Sequence, residues 1–291
     1  MKIMVPGAGG LVGHALAEYC TRAGEQVVAL DHTALDITDE QNVNTIFDRE
    51  RPQVVINCAA WTNVDDCESD TQRAQNVNAR GPELLALAAR RLGALFITIS
   101  TDYVFDGEKE GFYTQDDQPN PQSVYGISKL AGEQKAQRAW ARTIVVRSGY
   151  IFGAGGTNFL STVIDRAYRG EPMRAIDDAF GTPTYAPDLA RQLHRLAQVD
   201  LPGTYHLVNA GEGASFAEFA RRAIALAGLD VNLVQDISLN TLKRPAPRPR
   251  NSRLRCLISA AAGLDPLPSW QDALSAFAGS TRAGAVIRSS T

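Results

Sequence analysis

A tyrosine and a lysine four residues apart, Tyr125 and Lys129, have the types and spacing that proton transfer requires. In a helix this spacing places both side chains on one face, one turn apart. A free tyrosine has a pKa of about 10, and an ammonium group roughly 4 Å away stabilises the phenolate by about 4 kcal/mol at an effective dielectric of about 20. Such a phenol can act as a general acid or base near neutral pH, while the hydroxyl of Thr101 or Ser100 holds the substrate oxygen against it.

The surrounding sequence predicts which elements position these groups. Residues Leu95–Ser100 are apolar and β-favouring, which predicts a buried strand, and Thr101 follows its end, where open α/β sheets bind ligands. The composition of Pro121–Trp140 favours a helix that carries the tyrosine and the lysine. The same pair is also common on helix surfaces, where the lysine stem lies along the protein. A dinucleotide fingerprint elsewhere in the chain favours the catalytic interpretation.

That fingerprint follows the first predicted strand, Lys2–Pro6. Gly7, Gly10 and Gly13 form the pattern G-x-x-G-x-x-G and open an alanine- and leucine-rich helix that is predicted to end near Arg22. Glycines so placed permit a tight turn and the close approach of a pyrophosphate, which the helix N-terminus attracts. A plain glycine-rich turn is the alternative, but the position between a strand and a helix favours dinucleotide binding.

An aspartate follows the second predicted strand, Gln26–Leu30. Asp31 stands where an acid usually receives the ribose hydroxyls of the adenosine, and its charge disfavours a 2′-phosphate. His32 and Thr33 come next and could accommodate such a phosphate. The sequence therefore favours NADH, with NADPH open, and a turn aspartate at a strand end is the alternative.

Other residues near strand ends are candidates for ligand contacts. The third predicted strand, Pro52–Cys58, is followed by Ala59 and Ala60, whose small side chains let a cofactor lie against the backbone. Asp36 and Ile37, in the loop after the second strand, could flank the adenine. Three residues face the cofactor or substrate, or else pack the next helix: Thr62, Val64 and Asp65.

Two later features suit a nucleotide or sugar ligand. The prolines of the loop 244–250 prevent regular structure, and its three arginines suit a diphosphate, although a solvated loop is the alternative. Tyr150 could stack on a base or a sugar, and a core tyrosine is an equal alternative.

The composition narrows the class of protein. With 291 residues, 44% of them hydrophobic, 21% charged and a net charge of −3, the chain is typical of a globular enzyme and gives no support to nucleic-acid binding. It has no apolar run of membrane-spanning length and no signal peptide. Four cysteines without metal-binding spacing indicate reduced thiols in a cytoplasmic protein: Cys20, Cys58, Cys67 and Cys256.

Alternation of strands and helices predicts the organisation of the chain. We expect an α/β fold in which residues 1–150 form a Rossmann-type doubly wound parallel sheet that binds a dinucleotide. Residues 151–280 would form a smaller C-terminal α/β substrate lobe, with the chain crossing between the lobes. A final helix is predicted near Ser269–Ala278, and residues 281–291 would form a flexible tail.

With these residues in view, the chain resembles the dTDP-4-dehydrorhamnose reductase family of the extended short-chain dehydrogenase/reductase superfamily. The resemblance runs from Met1 to about Ala278, and the segments around Ser100 and Tyr125 are its most specific part. The matching segments are Gly7–Gly13, Leu35–Thr38, Asn57–Asp65, Ser100–Gly107, Tyr125–Glu133, Gly181–Thr184 and Arg248–Leu254. One departure is Tyr150, where family members often carry tryptophan.

The resemblance implies hydride transfer from NADH or NADPH to C4 of a dTDP-4-keto-6-deoxysugar. Tyr125 would protonate the new alkoxide, Lys129 would hold the nicotinamide ribose and tune the phenol, and Thr101 would orient the keto oxygen. The cofactor candidates are Gly7, Gly10, Leu11, Val12, Gly13, Asp31, Asp36, Ile37, Ala59, Ala60, Thr62, Tyr125 and Lys129. The substrate candidates are Val64, Asp65, Thr101, Asp102, Tyr103, Tyr125, Tyr150, Asn251 and Ser252.

Other functions of this fold stay open at this point. A related dTDP-deoxysugar reductase, of the dihydrostreptose type, or an epimerase that recycles its cofactor would share these motifs. A non-catalytic NADP-binding regulatory subunit is a third alternative, although such a subunit has no obvious use for the Tyr125 and Lys129 pair. No metal site is predicted, a Mg²⁺ requirement is left open, and we expect a monomer or homodimer.

Overall fold

The computed structural model describes residues 1–155 and 158–288, with side chains as far as residue 279. Twelve strands lie within these ranges: β1 (Lys2–Pro6), β2 (Gln26–Leu30), β3 (Val54–Asn57), β4 (Leu95–Thr101), β5 (Thr143–Ser148), β6 (Ile151–Phe152), β7 (Met173–Ile176), β8 (Phe180–Gly181), β9 (Thr184–Tyr185), β10 (Gly203–His206), β11 (Ala214–Ser215) and β12 (Val234–Ile237). The same ranges contain ten α-helices: α1 (Leu11–Arg22), α2 (Glu40–Glu50), α3 (Val64–Ser69), α4 (Thr71–Gln75), α5 (Gly81–Leu92), α6 (Val124–Ala139), α7 (Phe159–Tyr168), α8 (Ala186–Val199), α9 (Phe216–Leu226) and α10 (Trp270–Arg288).

A parallel sheet of six strands organises the molecule, in the order β10-β5-β4-β3-β1-β2. The residues of β3 are fully apolar except for Asn57 and all are buried, as expected of a strand covered on both faces. Helices lie on both sides, so the predicted doubly wound parallel sheet is confirmed. The carboxyl ends of β1, β3 and β4 all lie at one edge of this sheet.

Alternate residues of each strand feed two cores on opposite faces of the sheet. Ile3 and Val5 of β1 pack against α1 and α8, whereas Met4 between them packs on the other face. That other face is covered by α2, α5 and α6, with Phe47 and Leu85 fully buried. These two layers fix α6, which carries Tyr125 and Lys129, against β4.

A smaller lobe is built around aromatic side chains of α9 and α10. Trp270, Phe219 and Phe152 are almost completely buried in one cluster. Three two-stranded sheets belong to the later part of the chain: β6 with β9, β7 with β12, and β8 with β11. Between these segments the chain returns to the first lobe, because β10 joins the large sheet and α8 packs on α1. Residues 1–150 and 151–280 stay our proposed division, with α8 and β10 as returning segments.

Some predicted boundaries differ from the structure. The strand predicted over Val231–Gln235 begins only at Val234, because a short 3₁₀ turn capped by Asp230 precedes it. The last helix continues to Arg288, past the predicted end near Ala278, since residues 279–288 contain no proline. A flexible tail is thus not seen over residues 281–288, and residues 289–291 lie outside the described residues. None of the helices in the described ranges has the length and apolar composition to cross a membrane.

Candidate active site

The hydroxyl groups of Thr101 and Tyr125 meet at the carboxyl end of β4. Thr101 is the last residue of β4, and its Oγ1 donates a hydrogen bond to Oδ1 of Asp102 at 3.0 Å. Tyr125 lies in the first turn of α6, which Ser123 caps by accepting a hydrogen bond from the Gly126 amide at 3.2 Å. The phenol of Tyr125 shares a hydrogen bond with Thr101. The Ser100 hydroxyl, the other candidate, is buried without a hydrogen-bond partner.

Two glycines outside the fingerprint permit this arrangement. A Cβ on Gly149 would lie 2.3 Å from Cγ of Asp102, and a Cβ on Gly126 would lie 2.3 Å from the Tyr103 carbonyl oxygen. Both distances are shorter than real Cβ contacts. Glycine at these two positions therefore lets the Asp102 carboxyl lie against the chain after β5 and lets α6 lie against the Tyr103 carbonyl.

Lys129 is buried one turn along α6, with only 4% of its surface exposed. Its Nζ donates a hydrogen bond to the carbonyl oxygen of Ile99 at 2.6 Å. Burial lowers the pKa of Lys129 to about 8, while the nearby charge of Glu133 raises it. The ammonium group is thus held against β4.

This placement corrects the expectation that Lys129 brings the phenol to a neutral pKa. Burial raises the pKa of Tyr125, the hydrogen bond shared with Thr101 lowers it, and the charge of Asp102 raises it again. The Lys129 ammonium is committed to the Ile99 carbonyl and is not among the groups that lower the Tyr125 pKa. Tyr125 therefore keeps its proton at neutral pH and is suited to act as an acid.

A buried carboxyl group adjoins the two hydroxyls. Burial raises the pKa of Asp102 to about 6, against the lowering effect of hydrogen bonds from Ser252 and Thr101. Burial also raises the pKa of Tyr103 to about 12, and its ring lies edge-on to that of Tyr125 at 6.0 Å between centroids. Ser252 comes from the C-terminal part of the chain, so both parts of the molecule contribute to this corner.

A cavity of about 790 Å³, which we call the arginine cavity, opens beside these residues. Among the described residues that line it, four are arginines, and Asp102 is the one acid. Its polar and aromatic lining consists of Asp102, Tyr103, Tyr150, Phe159, Arg166, Arg174, Phe180, Phe216, Gln235, Arg244, Arg248 and Ser252. Val64 also lines this cavity. The excess of positive charge suits an anionic ligand.

The arginines of the loop 244–250 are already paired. Arg248 forms an ion pair with Asp65 at 3.0 Å, and Arg244 lies 3.7 Å from the other oxygen of the same carboxylate. Arg250 pairs with Asp178 at 3.0 Å and does not line the cavity. Two of the three arginines therefore share one carboxylate, and the loop keeps one positive charge in excess of these two acids. That the loop binds a diphosphate stays a prediction.

Arg174 is a cavity residue that the sequence did not single out. It lies on β7, and its guanidinium makes no ion pair among the described residues. The burial pattern of β7 alternates, with Met173 and Ala175 buried and Arg174 exposed between them. That alternation is the signal in the sequence, but only the fold shows that the exposed face borders a cavity.

The remaining substrate candidates divide between lining and support. Tyr150 lines the arginine cavity with a left-handed backbone (φ 52°), packs on Phe216 at 4.4 Å, and buries a hydroxyl without a hydrogen-bond partner. Asn251 does not line the cavity, since its amide donates to the carbonyl oxygens of Lys109 and Gly111, each at 2.6 Å. Asp65 likewise points to the arginines and to the Ala246 amide.

A second cavity of about 860 Å³, the glycine-loop cavity, lies at the carboxyl ends of β1, β2 and β3. Gly7 has φ +79°, and a Cβ there would lie 2.5 Å from the Ala59 amide nitrogen. A Cβ on Gly13 would lie 2.2 Å from the Gly7 carbonyl oxygen. Gly10 begins α1 without a side-chain cap. The lining includes Gly7, Gly9, Gly10, Asp31, His32, Thr33, Asp36, Ile37, Cys58, Ala59, Ala60, Trp61 and Arg73.

The acids of this cavity are partly committed to turns. Oδ1 of Asp31 accepts hydrogen bonds from the Thr33 amide and hydroxyl and from the Ala34 amide, and these lower the pKa of Asp31. Oδ1 of Asp36 accepts similarly from Thr38. None of the three hydrogen bonds to Asp31 within the described part of the chain involves its Oδ2. Six cofactor candidates do not line this cavity: Leu11, Val12, Gly13, Thr62, Tyr125 and Lys129.

Tyr125 lines neither cavity but packs against residues of both. Its ring packs in one cluster with Trp61 of the glycine-loop cavity and with Tyr103 and Val64 of the arginine cavity. Asn78, which the sequence did not indicate, fixes the loop of Trp61 by accepting from its amide at 2.8 Å and donating to its carbonyl at 3.0 Å. Asn78 lies in the π-helical turn Asn76–Arg80, and its amide also donates to the Ser128 hydroxyl of α6 at 3.1 Å.

Comparison with known proteins places these features in a family. The family model described as the RmlD substrate binding domain matches residues 1–282. A dTDP-4-dehydrorhamnose reductase of Streptomyces griseus is 40% identical over 277 residues, which cover 93% of this chain and 91% of the relative. A solved dTDP-4-dehydrorhamnose reductase from Clostridium acetobutylicum superposes with a TM-score of 0.93 at 36% identity, covering 97% of this chain and all of that one. The enzyme from Bacillus anthracis, solved in complex with NADP, has a TM-score of 0.92 at 33% identity, covering 95% of this chain and 98% of its own.

Proposed function

This chain belongs to the dTDP-4-dehydrorhamnose reductase family, and from that premise we propose that it uses NADPH or NADH to reduce the C4 keto group of dTDP-4-dehydro-L-rhamnose to dTDP-L-rhamnose. The observation that carries the proposal is the packing of Tyr125, which shares a hydrogen bond with Thr101, against residues that line the glycine-loop cavity and residues that line the arginine cavity. A dinucleotide in the first cavity and a sugar nucleotide in the second would meet at the phenol.

The residues present fit a dinucleotide. Since a Cβ on Gly7 would overlap the backbone at Ala59, glycine there shapes a cradle that admits a pyrophosphate to the N-terminus of α1. Oδ2 of Asp31 would receive the adenosine ribose, and the remaining N–H groups of Lys129 would hold the nicotinamide ribose. When bound, the reduced nicotinamide supplies the hydride that C4 accepts.

Tyr125 supplies the proton that the reduced keto oxygen takes up. Burial raises its pKa, so the phenol is protonated when the substrate binds. The single proton of Thr101 points to Asp102 in this arrangement and can turn to the phenolate after Tyr125 has transferred its own. Thr101 would therefore orient and stabilise the phenol oxygen, in addition to the expected contact with the keto oxygen.

The arginine cavity would bind the dTDP moiety. Its positive lining complements a diphosphate, and we assign the first contact to Arg174, whose charge is not neutralised by an acid. Tyr150, Tyr103 and Val64 would contact the sugar or the base. Its volume of about 790 Å³ is within the range of small-molecule sites.

The test is a direct assay. Purified protein is incubated with NADPH or NADH and dTDP-4-dehydro-L-rhamnose, the absorbance at 340 nm is followed, and the product is identified by NMR. We expect stoichiometric cofactor oxidation and dTDP-L-rhamnose. A panel of other dTDP-4-keto-6-deoxysugars identifies the preferred sugar and its C4 stereochemistry. Absence of turnover with both cofactors across the panel would contradict the proposal.

We also propose a cytoplasmic location and a monomeric or homodimeric state. The four cysteines are unpaired, which supports a reducing compartment. Light scattering after size-exclusion chromatography, with and without Mg²⁺, measures the mass and any dependence on the ion. Among the described residues, no three potential metal-ligand side chains come together.

A further inference from the structure

A buried ion pair lies directly behind Lys129. Glu133 follows Lys129 by one turn of α6, and Arg147 lies on the neighbouring strand β5. Nε of Arg147 donates to Oε1 of Glu133 at 3.0 Å, and Nη2 donates to Oε2 at 2.7 Å. Their side chains are only 8% and 4% exposed. This two-point contact fixes the plane of the carboxylate.

The other groups around Lys129 offer no competing negative charge. The ammonium donates to the neutral carbonyl oxygen of Ile99 on β4. From the end of β3 it faces the Cys58 thiol, whose pKa burial raises to about 12, so that the thiol is uncharged at neutral pH. Behind Arg147, burial and the arginine charge lower the pKa of His206 to about 4, which keeps that imidazole neutral. Glu133 is therefore the carboxylate that acts on Lys129.

Stability alone is a weak reason for such a pair. Two buried charges lose their hydration, and replacing a buried ion pair by neutral groups is often neutral or stabilising. An ammonium group enclosed as Lys129 is also loses hydration and tends to give up its proton. A carboxylate one turn away favours the charged form, because opposite charges attract more strongly at low effective dielectric.

We propose that Glu133 is a positioning residue that keeps Lys129 protonated for cofactor binding, and that Arg147 holds Glu133 in the orientation this requires. The proposal rests on the proposed function, because there the N–H groups of the Lys129 ammonium hold the nicotinamide ribose. Neither Glu133 nor Arg147 lines the two cavities, so neither contacts the substrate or the cofactor from its present position.

The experiment measures the pH dependence of Glu133→Gln against wild type. We expect wild-type kcat/KM to fall at alkaline pH, because burial lowers the pKa of Lys129 to about 8. Removing the carboxylate lowers the pKa of Lys129, so we expect this alkaline limb to move to lower pH by about one unit. The dissociation constant of NADPH, measured by fluorescence over the same pH range without substrate, should show the same displacement.

Three comparisons separate positioning from a structural role. Glu83→Gln removes one carboxylate from α5, where it pairs with Arg80 and Lys135, and should leave the limb in place. The double variant Glu133→Gln/Arg147→Met removes both buried charges, so no unpaired arginine stays buried and the variant can fold even if Glu133→Gln alone unfolds. Its alkaline limb should be displaced as in Glu133→Gln. Arg147→Lys retains a cation beside Glu133, so its alkaline limb should lie closer to that of wild type than the limb of Glu133→Gln or of the double variant.

The outcomes also separate this proposal from the function itself. If wild type neither turns over nor binds NADPH, the proposed function fails. If wild type is active and the folded variants lacking Glu133 keep the wild-type limb in both measurements, Glu133 is structural only and this proposal is overturned.

Discussion

The two cavities are built in different ways. The glycine-loop cavity is shaped by backbone: Gly7 and Gly13 matter because a Cβ would collide with main-chain atoms 2.5 Å and 2.2 Å away. The arginine cavity is shaped by side chains from distant segments, and its net charge depends on which of its arginines form ion pairs with aspartates. Backbone constraints leave a local motif in the sequence, whereas a pattern of long-range ion pairs does not.

Tyr125→Phe tests whether the two cavities depend on a common group. Because the phenol supplies the proton and its ring packs against residues of both cavities, we expect kcat to fall by about 1,000-fold, while both ligands still bind within a few-fold of wild type. Single-turnover kinetics and titration calorimetry with NADPH and dTDP measure the two effects. Turnover at the wild-type rate would contradict the role of Tyr125 as proton donor. Loss of binding of either ligand would show that the phenol also supports the wall of that cavity.

Gly13→Ala tests the backbone construction of the glycine-loop cavity. The added methyl group would overlap the Gly7 carbonyl oxygen and displace the loop, so we expect the NADPH dissociation constant to rise by about 100-fold with dTDP binding unchanged. Gly279→Ala is the control for an added methyl group, because a Cβ there meets no atom within 4 Å and Gly279 does not line the cavity. Equal effects of the two variants on NADPH affinity would contradict a steric role specific to Gly13.

The same contrast explains what the sequence could predict. The parallel sheet, the glycine turn and Thr101 at a strand end follow from local patterns of period, glycine spacing and strand termination. Arg174, Asn78 and the pairing of Arg244 with Asp65 depend on segments that are far apart in the chain. The pKa of Tyr125 was predicted wrongly for the same reason, because spacing of four residues fixes a shared helix face but not whether the ammonium turns to the phenol or to the Ile99 carbonyl.

Arg174→Gln tests the side-chain construction of the arginine cavity. If its unpaired guanidinium contacts the diphosphate, the KM for the dTDP-sugar should rise by about 30-fold and the NADPH dissociation constant should not change. Arg250→Gln is the matched control, because Arg250 is paired with Asp178 outside the cavity. Steady-state kinetics at two salt concentrations measure both variants. A KM for Arg174→Gln no higher than that for Arg250→Gln would move the diphosphate contact to the arginines that Asp65 now holds.

Asp31→Ser tests whether a side chain determines the selectivity between NADPH and NADH in the glycine-loop cavity, whose shape depends on the backbone. Hydrogen bonds to Oδ1 lower the pKa of Asp31, so its carboxylate stays charged and repels a 2′-phosphate. A serine hydroxyl can still accept from the Thr33 amide but carries no charge, so the ratio of kcat/KM for NADPH to that for NADH should rise by about tenfold.

Asp36→Ser is the control for this last change, because Asp36 lines the same cavity with its own Oδ1 bonded to Thr38. A loss of general negative charge would shift the cofactor ratio in both variants, whereas a specific contact at the ribose shifts it only in Asp31→Ser. An unchanged ratio in Asp31→Ser would mean that His32 and Thr33 already accept the 2′-phosphate beside the carboxylate. The charge of Asp31 would then not determine the selectivity between NADPH and NADH.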